Sequence, residues 1–189
     1  MNSGKSTALI NTAFNYQENG LFVAVTKPSV DTKGETLIVA RAGLSREVDF
    51  LATPDMNLRE QVRRISDTAI PINCLLVDEA QFLHTEQVDQ LLEIAKLDDI
   101  SVIAYGLRTD FRRHTFPGSL RLLELADNIE KLPVMCQCNS QAEFNTRLVD
   151  GEYVFEGNQV AIDGQGDVTY NSLCGKCYLE EMAKSAAHL

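Results

Sequence analysis

The sequence predicts an α/β protein: a parallel sheet with helices on both faces, followed by a small separate module. Three observations carry this. Short apolar runs alternate with amphipathic stretches up to about residue 133, the pattern of linked βα units. One run, Cys74-Leu75-Leu76-Val77, ends in Asp78-Glu79, as a buried parallel strand with acids at its carboxyl end would. After Pro133 the texture changes to cysteines, glycines and short alternating segments. The predicted domains are therefore 1–133 and 134–189.

The elements follow in order. Apolar residues at Leu9, Ile10, Ala13, Phe14 and Tyr16 predict a helix over 7–19, closed by Gly20 as a C-terminal cap. A strand is expected over 21–26, and 28–36 is turn-rich and polar, a surface loop. A short charged helix is expected over 57–66 and a buried strand over 74–77. Val88, Leu91, Leu92 and Ala95 form one stripe of a helix over 85–97. A strand over 100–105 precedes an Arg- and Phe-rich loop, 107–116. Pro117 suits the first turn of a helix over 117–126. Strand character returns at 129–135, then in short runs at 144–149, 153–155 and 159–162.

Composition sets limits. A hydrophobic content of 44% is enough for a real core. No apolar run reaches the roughly 18 residues a membrane span needs, and the start has no signal-peptide pattern, so a cytoplasmic protein with no membrane partner is expected. A net charge of −10 argues against broad nucleic-acid binding, which requires a basic face.

The chemistry begins at Met1-Asn2-Ser3-Gly4-Lys5-Ser6-Thr7. Gly4-Lys5-Ser6 is the closing half of G-x-x-x-x-G-K-[ST], in which backbone N–H groups wrap phosphates, Lys reaches the β/γ-phosphates and Ser meets Mg²⁺. The half-motif alone is weak. It is strengthened by a helix directly after Lys5, whose N-terminus would face phosphate. It is strengthened again by Asp78 at a strand end, as in a Walker-B strand that supports the Mg²⁺ shell. Glu79, one residue on, is placed to take a proton from an attacking oxygen. The opening Gly and its feeding strand are absent before Gly4. The expectation is that Met1 is an internal methionine of a longer enzyme and that these 189 residues alone are unstable or inactive.

Four of the five cysteines fall in two close pairs, Cys136/Cys138 and Cys174/Cys177. Two pairs of thiolates can close a tetrahedral, structural Zn²⁺ site. Cys74 reads as a small core residue. His84, His114 and His188 stand apart from one another and receive no role. Phe82, Phe111 and Phe116 lie in loops after strand ends, where open α/β sheets bind ligands; they could sandwich a flat base or simply pin loops to the core.

These residues resemble the type II thymidine kinases, bacterial branch. The likeness runs through the phosphate loop, Leu76-Val77-Asp78-Glu79-Ala80-Gln81-Phe82, Tyr105-Gly106-Leu107-Arg108-Thr109-Asp110-Phe111-Arg112, Phe116-Pro117-Gly118-Ser119, Asn145-Thr146-Arg147, Tyr170-Asn171-Ser172-Leu173-Cys174 and the cysteine pairs. The resemblance implies a RecA-like P-loop sheet with a zinc-bearing lasso, and transfer of the ATP γ-phosphoryl to the 5′-hydroxyl of thymidine or deoxyuridine in nucleotide salvage. It implies Glu79 as general base. Asn2, Ser3, Gly4, Lys5, Ser6, Thr7, Asp78, Ala80 and Gln81 would join Glu79 around ATP and Mg²⁺. Met1, Phe82, Leu107, Phe111, Phe116, Val160, Ile162, Gly164 and Tyr170 would line the nucleoside site. It further implies dTTP as feedback inhibitor and a homotetramer. Two departures stand out: Lys33 replaces the Arg of many relatives, and the turn at 163–167 is slightly longer than usual.

Two other functions remain open at this point. A P-loop ATPase would hydrolyse ATP equally without a nucleoside. A non-catalytic zinc-module protein would bind nucleic acid or protein, against which the charge speaks.

Overall fold

Period-two burial builds the larger part of the fold. In the computed structural model, which describes residues 3–68, 71–159 and 167–187, β1 (Val23–Pro28) lies between β4 (Phe50–Ala52) and β5 (Cys74–Val77). With β6 (Ser101–Ala104) they form a parallel sheet of order β4-β1-β5-β6. Thr26 pairs with Val77, and Val77 with Ala104, so β1, β5 and β6 end at one edge.

Successive side chains point to opposite faces. Val23, Val25, Cys74 and Leu76 pack on Leu9 and Ala13 of α1 (Lys5–Glu18) and on Ile38 and Val48. Ile38 belongs to a hairpin of β2 (Leu37–Val39) and β3 (Ser45–Glu47). On the other face Ala24, Leu75 and Val77 pack on Leu58 and Val62 of α2 (Leu58–Thr68) and on Val88, Leu91 and Ile94 of α3 (Thr85–Leu97). Each fully buried Leu, Ile or Val stabilises the fold by about 1.5–3 kcal/mol. A 3₁₀ turn (Ala80–Phe82) follows β5, and α4 (Pro117–Leu125) lies against it. Gly118 makes that approach possible: a Cβ there would stand 2.6 Å from the Leu83 carbonyl oxygen and 2.9 Å from those of Ala80 and Gln81.

The chain divides into two units. One comprises Gly4–Leu107 and Phe116–Glu130, just described; the other comprises, among the described residues, Ser3, Arg108–Thr115 and the chain from Lys131 onward. In the second, β7 (Phe144–Val149) pairs antiparallel with β8 (Glu152–Val154) and β9 (Val168–Leu173), and α5 (Gly175–Ala187) follows. Its core gathers the buried cysteines with Leu173, Phe144, Phe155 and Tyr178. The segment 108–115 is held there by Tyr178, whose hydroxyl donates to the Phe111 carbonyl (2.7 Å), and by Asn145, whose amide donates to the Thr109 carbonyl (2.9 Å).

The expected parallel sheet, with α1, α2, α3 and α4 near their expected places, is present. The strand expected over 129–135 does not form: Met135 makes one isolated bridge to Gln141. Pro133 has no N–H to give a ladder, and Ile129 and Met135 are exposed. The strand expected over 159–162 falls, apart from Gln159, outside the described residues. Strands β2, β3, β4 and β9 and helix α5 were not anticipated.

Candidate active site and metal centre

The N-terminus of α1 is built for an anion. Gly4 takes a left-handed conformation (φ 72°), and its carbonyl accepts the Ala8 N–H at 2.8 Å. No side chain caps the helix among the described residues, so the first-turn N–H groups and the helix dipole face outward. Ser6 Oγ donates to Asp78 Oδ2 at 3.1 Å, which joins the two half-motifs across 72 residues. Asp78 sits at the end of β5, its N–H bonded to the Thr26 carbonyl (2.9 Å), and is 4% exposed. Burial first, and then the neighbouring Glu79 charge, raise its pKa; the Glu79 N–H, Lys5 and Ser6 oppose them. A buried carboxylate beside a second carboxylate and a hydroxyl is a donor set that a divalent cation would relieve.

Glu79 is held in the left-handed region (φ 47°, ψ 39°), a strain on the order of 1–3 kcal/mol for a residue with a Cβ. Its N–H donates to Asp78 Oδ1 (3.0 Å), and its carboxylate accepts the Gln81 Nε2 at 2.5 Å. Lys5 Nζ lies 3.9 Å from its other oxygen. This cluster therefore sets a cation and helix N–H groups for phosphate beside a carboxylate able to take a proton.

Phe82 and Phe116 meet edge to face, centroids 5.6 Å apart at 81°. Leu107 is fixed at both backbone ends: its N–H donates to Gln81 Oε1 (3.1 Å) and its carbonyl accepts from Ser119 Oγ (2.6 Å). Phe111 and Tyr170 lie in the second unit. Phe111 is 2% exposed, with the Arg147 guanidinium 3.9 Å over its ring; Arg147 also faces Tyr170 at 5.6 Å. Ser3 falls with this unit. Met1, Asn2, Val160, Ile162 and Gly164 lie outside the described residues.

The four paired cysteines converge: the Sγ atoms of Cys136, Cys138, Cys174 and Cys177 all lie within 4.8 Å of one another. Cys138 and Cys174 sulfurs are 3.5 Å apart, close to the roughly 3.8 Å that four sulfurs at 2.3 Å around a tetrahedral ion would show. A tight turn, in which the Asn139 N–H bonds the Cys136 carbonyl (2.9 Å), sets the first pair. Cys174 stands just before α5 and Cys177 in its first turn. The Cys177 N–H donates to Cys174 Sγ (3.5 Å). Hydrogen bonds from Ser140, then Cys174, bring the Cys138 pKa down to about 6, while hydrogen bonding to Cys138 and Cys174 pushes Cys177 up to about 12. The cluster could hold zinc, with four protein ligands and no open position. Cys74 is a core residue of β5 whose thiol burial pushes up to about 11.

Other polar residues escaped the sequence reading. Lys27 is 1% exposed at the end of β1, and its ammonium meets Asp31 Oδ2 (3.1 Å) and the carbonyls of Lys33 (2.6 Å) and Leu37 (3.4 Å). A lone charge in a central parallel strand was the available signal, since such a charge must be partnered. Arg147, named only within the Asn145-Thr146-Arg147 segment, donates to the Asn158 and Gln159 carbonyls (2.8 and 3.0 Å), a role that segment did not signal, and Tyr178 carried no signal at all.

A helix N-terminus bonded to an acid-tipped strand defines the class: an α/β protein with the arrangement of a phosphate loop, carrying a four-cysteine cluster that could hold a metal. Comparison with known proteins narrows this. The thymidine kinase family matches residues 1–178. The chain is 43% identical over 182 residues to the thymidine kinase of Enterobacteria phage T4, covering 95% of this chain and 92% of that one. It is 43% identical over 166 residues to that of Legionella pneumophila strain Lens (87% and 79%), and 41% over 180 residues to that of Chromobacterium violaceum (94% and 93%). The chain belongs to the thymidine kinase family. Among the described residues no helix is long and apolar enough to cross a membrane.

Proposed function

We propose that this chain is a thymidine kinase, transferring the γ-phosphoryl of ATP to the nucleoside 5′-hydroxyl with Glu79 as general base. The observation that carries the reading is the junction of Ser6 with Asp78 beside the Lys5–Glu79 pair, in a chain of this family. The reaction class requires ATP and a divalent metal ion. Lys5 and the α1 N–H groups would hold the β- and γ-phosphates. Ser6 and Asp78 would hold the ion, which we take to be Mg²⁺ and which neutralises charge on the phosphates.

The 5′-hydroxyl oxygen attacks phosphorus in line while its proton passes to the Glu79 carboxylate. The bond from γ-phosphorus to the bridging oxygen breaks and ADP leaves. Phe82, Leu107 and Phe116 would flank the nucleoside. The same role for Met1, Phe111, Val160, Ile162, Gly164 and Tyr170 rests on the family resemblance alone. So do nucleotide contacts from Asn2, Ser3, Thr7, Ala80 and Gln81, inhibition by dTTP, a homotetramer and a cytoplasmic location.

The test is Glu79→Gln, with phosphoryl transfer and ATP binding measured side by side. Transfer is expected to fall by on the order of 10²–10⁴, the contribution of a positioned base, while ATP binding survives. Loss of ATP binding in that variant would assign Glu79 a structural role. ATP hydrolysis of equal rate with and without thymidine would favour a simple ATPase.

A further inference from the structure

Gln81 is 1% exposed, and both ends of its amide are engaged by protein atoms. The two ends are not interchangeable. A carboxylate only accepts, so Nε2 must be the atom at Glu79 Oε2 (2.5 Å), and the Leu107 N–H (3.1 Å) requires Oε1. Flipping the amide would oppose two acceptors at one end and two donors at the other. The seat is shaped for it: a Cβ on Gly106 would stand 3.1 Å from Gln81 Oε1 and 3.2 Å from its backbone nitrogen. The turn that carries it is tied down as well, with the Ala80 N–H bonded to the Tyr105 carbonyl (2.9 Å) and the Leu83 N–H to that of Ala80 (3.1 Å).

The charged groups around Glu79 are Lys5, whose ammonium is 3.9 Å from Oε1, and Asp78, which takes the Glu79 N–H. Among the described residues no other group restrains the Glu79 carboxylate at hydrogen-bond distance. Without the amide, attraction to Lys5 would draw the carboxylate onto the phosphate-binding cation.

We propose that Gln81 is a positioning residue for phosphoryl transfer: its amide holds the Glu79 carboxylate off Lys5 and ties it to the backbone at Leu107, where the 107–116 segment begins. This rests on the reading of Glu79 as base. A buried amide that served packing alone could bond any backbone group; this one spends its donor on the reacting carboxylate and its acceptor on the segment that carries Phe111 and Phe116. Contact with ATP is not required for that role.

A double-mutant cycle tests it. Gln81→Met removes both amide bonds at similar volume. In the wild-type background kcat is expected to fall by on the order of 10- to 100-fold, part of the 10²–10⁴ a positioned base supplies. KM for thymidine and for ATP should stay within about threefold. In the Glu79→Gln background, followed by the residual turnover of labelled nucleoside, Gln81→Met should cause no further loss. Equal losses in both backgrounds, or a loss confined to KM, would overturn the proposal. If circular dichroism shows that Gln81→Met does not fold, Gln81→Asn decides by the same criteria, because it keeps a neutral buried amide that is one methylene too short to span from Glu79 to Leu107. Failure of the base reading looks different: Glu79→Gln alone would leave kcat within a few-fold of wild type.

Discussion

Asp78 is buried at the tip of β5 with a second carboxylate on the next residue, and both circumstances disfavour its charged form. Function and stability therefore pull apart at this position. Asp78→Asn keeps an oxygen for the Ser6 hydroxyl, gives up the acceptor for the Glu79 N–H and removes the buried carboxylate. It is expected to raise the midpoint of thermal unfolding in Mg²⁺-free buffer while lowering transfer on the order of 100-fold, within the scale set by losing one charge-stabilising group. A lowered midpoint would show that the Ser6 bond needs the carboxylate. Single residues were legible to the extent that their chemistry is local. Lys5, Ser6, Asp78 and Glu79 announce themselves by spacing. The role of Gln81 depends on a partner 26 positions away, and that of Lys27 on a loop that folds back over it, so neither could be read from its neighbours in the chain.

Helices α2 and α3 are joined by an ionic junction as well as by their shared core. Arg59 grips Asp98 at 2.7 and 3.0 Å, Arg63 adds a bond at 2.7 Å, and Arg59 also reaches Glu93. Asp98 follows the last turn of α3, and the Arg59 guanidinium, then that of Arg63, bring its pKa down from 3.8 to about 2. Since the folded value lies below the unfolded one, this group's stabilisation is present above about pH 4 and is lost as pH falls toward about 2. Asp98→Asn should lower the unfolding midpoint at pH 7, and the gap from wild type should narrow across that window in a pH series of thermal melts. A gap that persists at pH 2 would mean the loss was one of packing.

At the same scale, element length decided what could be foreseen. The Cys74–Val77 strand was plain because all four residues are apolar and buried on both sides. Strands β2 and β3 hold three residues each, and Ser45-Arg46-Glu47 has no apolar side chain at all; their pairing is a product of register, not of composition. Helix α5 was hidden because its first turn carries Cys177, which draws the eye to metal chemistry before helical period.

At the scale of the whole molecule, the two units rest on different physics. The sheet unit buries aliphatic side chains on two faces, whereas the second unit has a small core in which Cys136, Cys174, Cys177, Leu173 and a few rings must serve. Small cores of this kind depend on staples, and a preformed four-thiolate site rarely exists in an unfolded chain, so metal binding favours the folded one. Chelation is therefore expected to raise amide exchange in Phe144–Val149 and Val168–Leu173 first, with Cys74–Val77 still protected. Simultaneous loss in all three strands, or folded protein without zinc by elemental analysis, would contradict this. The path of the chain adds a consequence for inheritance. Arg108–Thr115 belongs by its contacts to the cysteine unit, though Leu107 and Phe116 on either side of it belong to the sheet. Neither unit can thus be exchanged between relatives by a single crossover. A recombinant that took 131–187 from another family member would part Phe111 from its own Tyr178 and Arg147, so these positions are bound to change together, as one heritable block in two pieces.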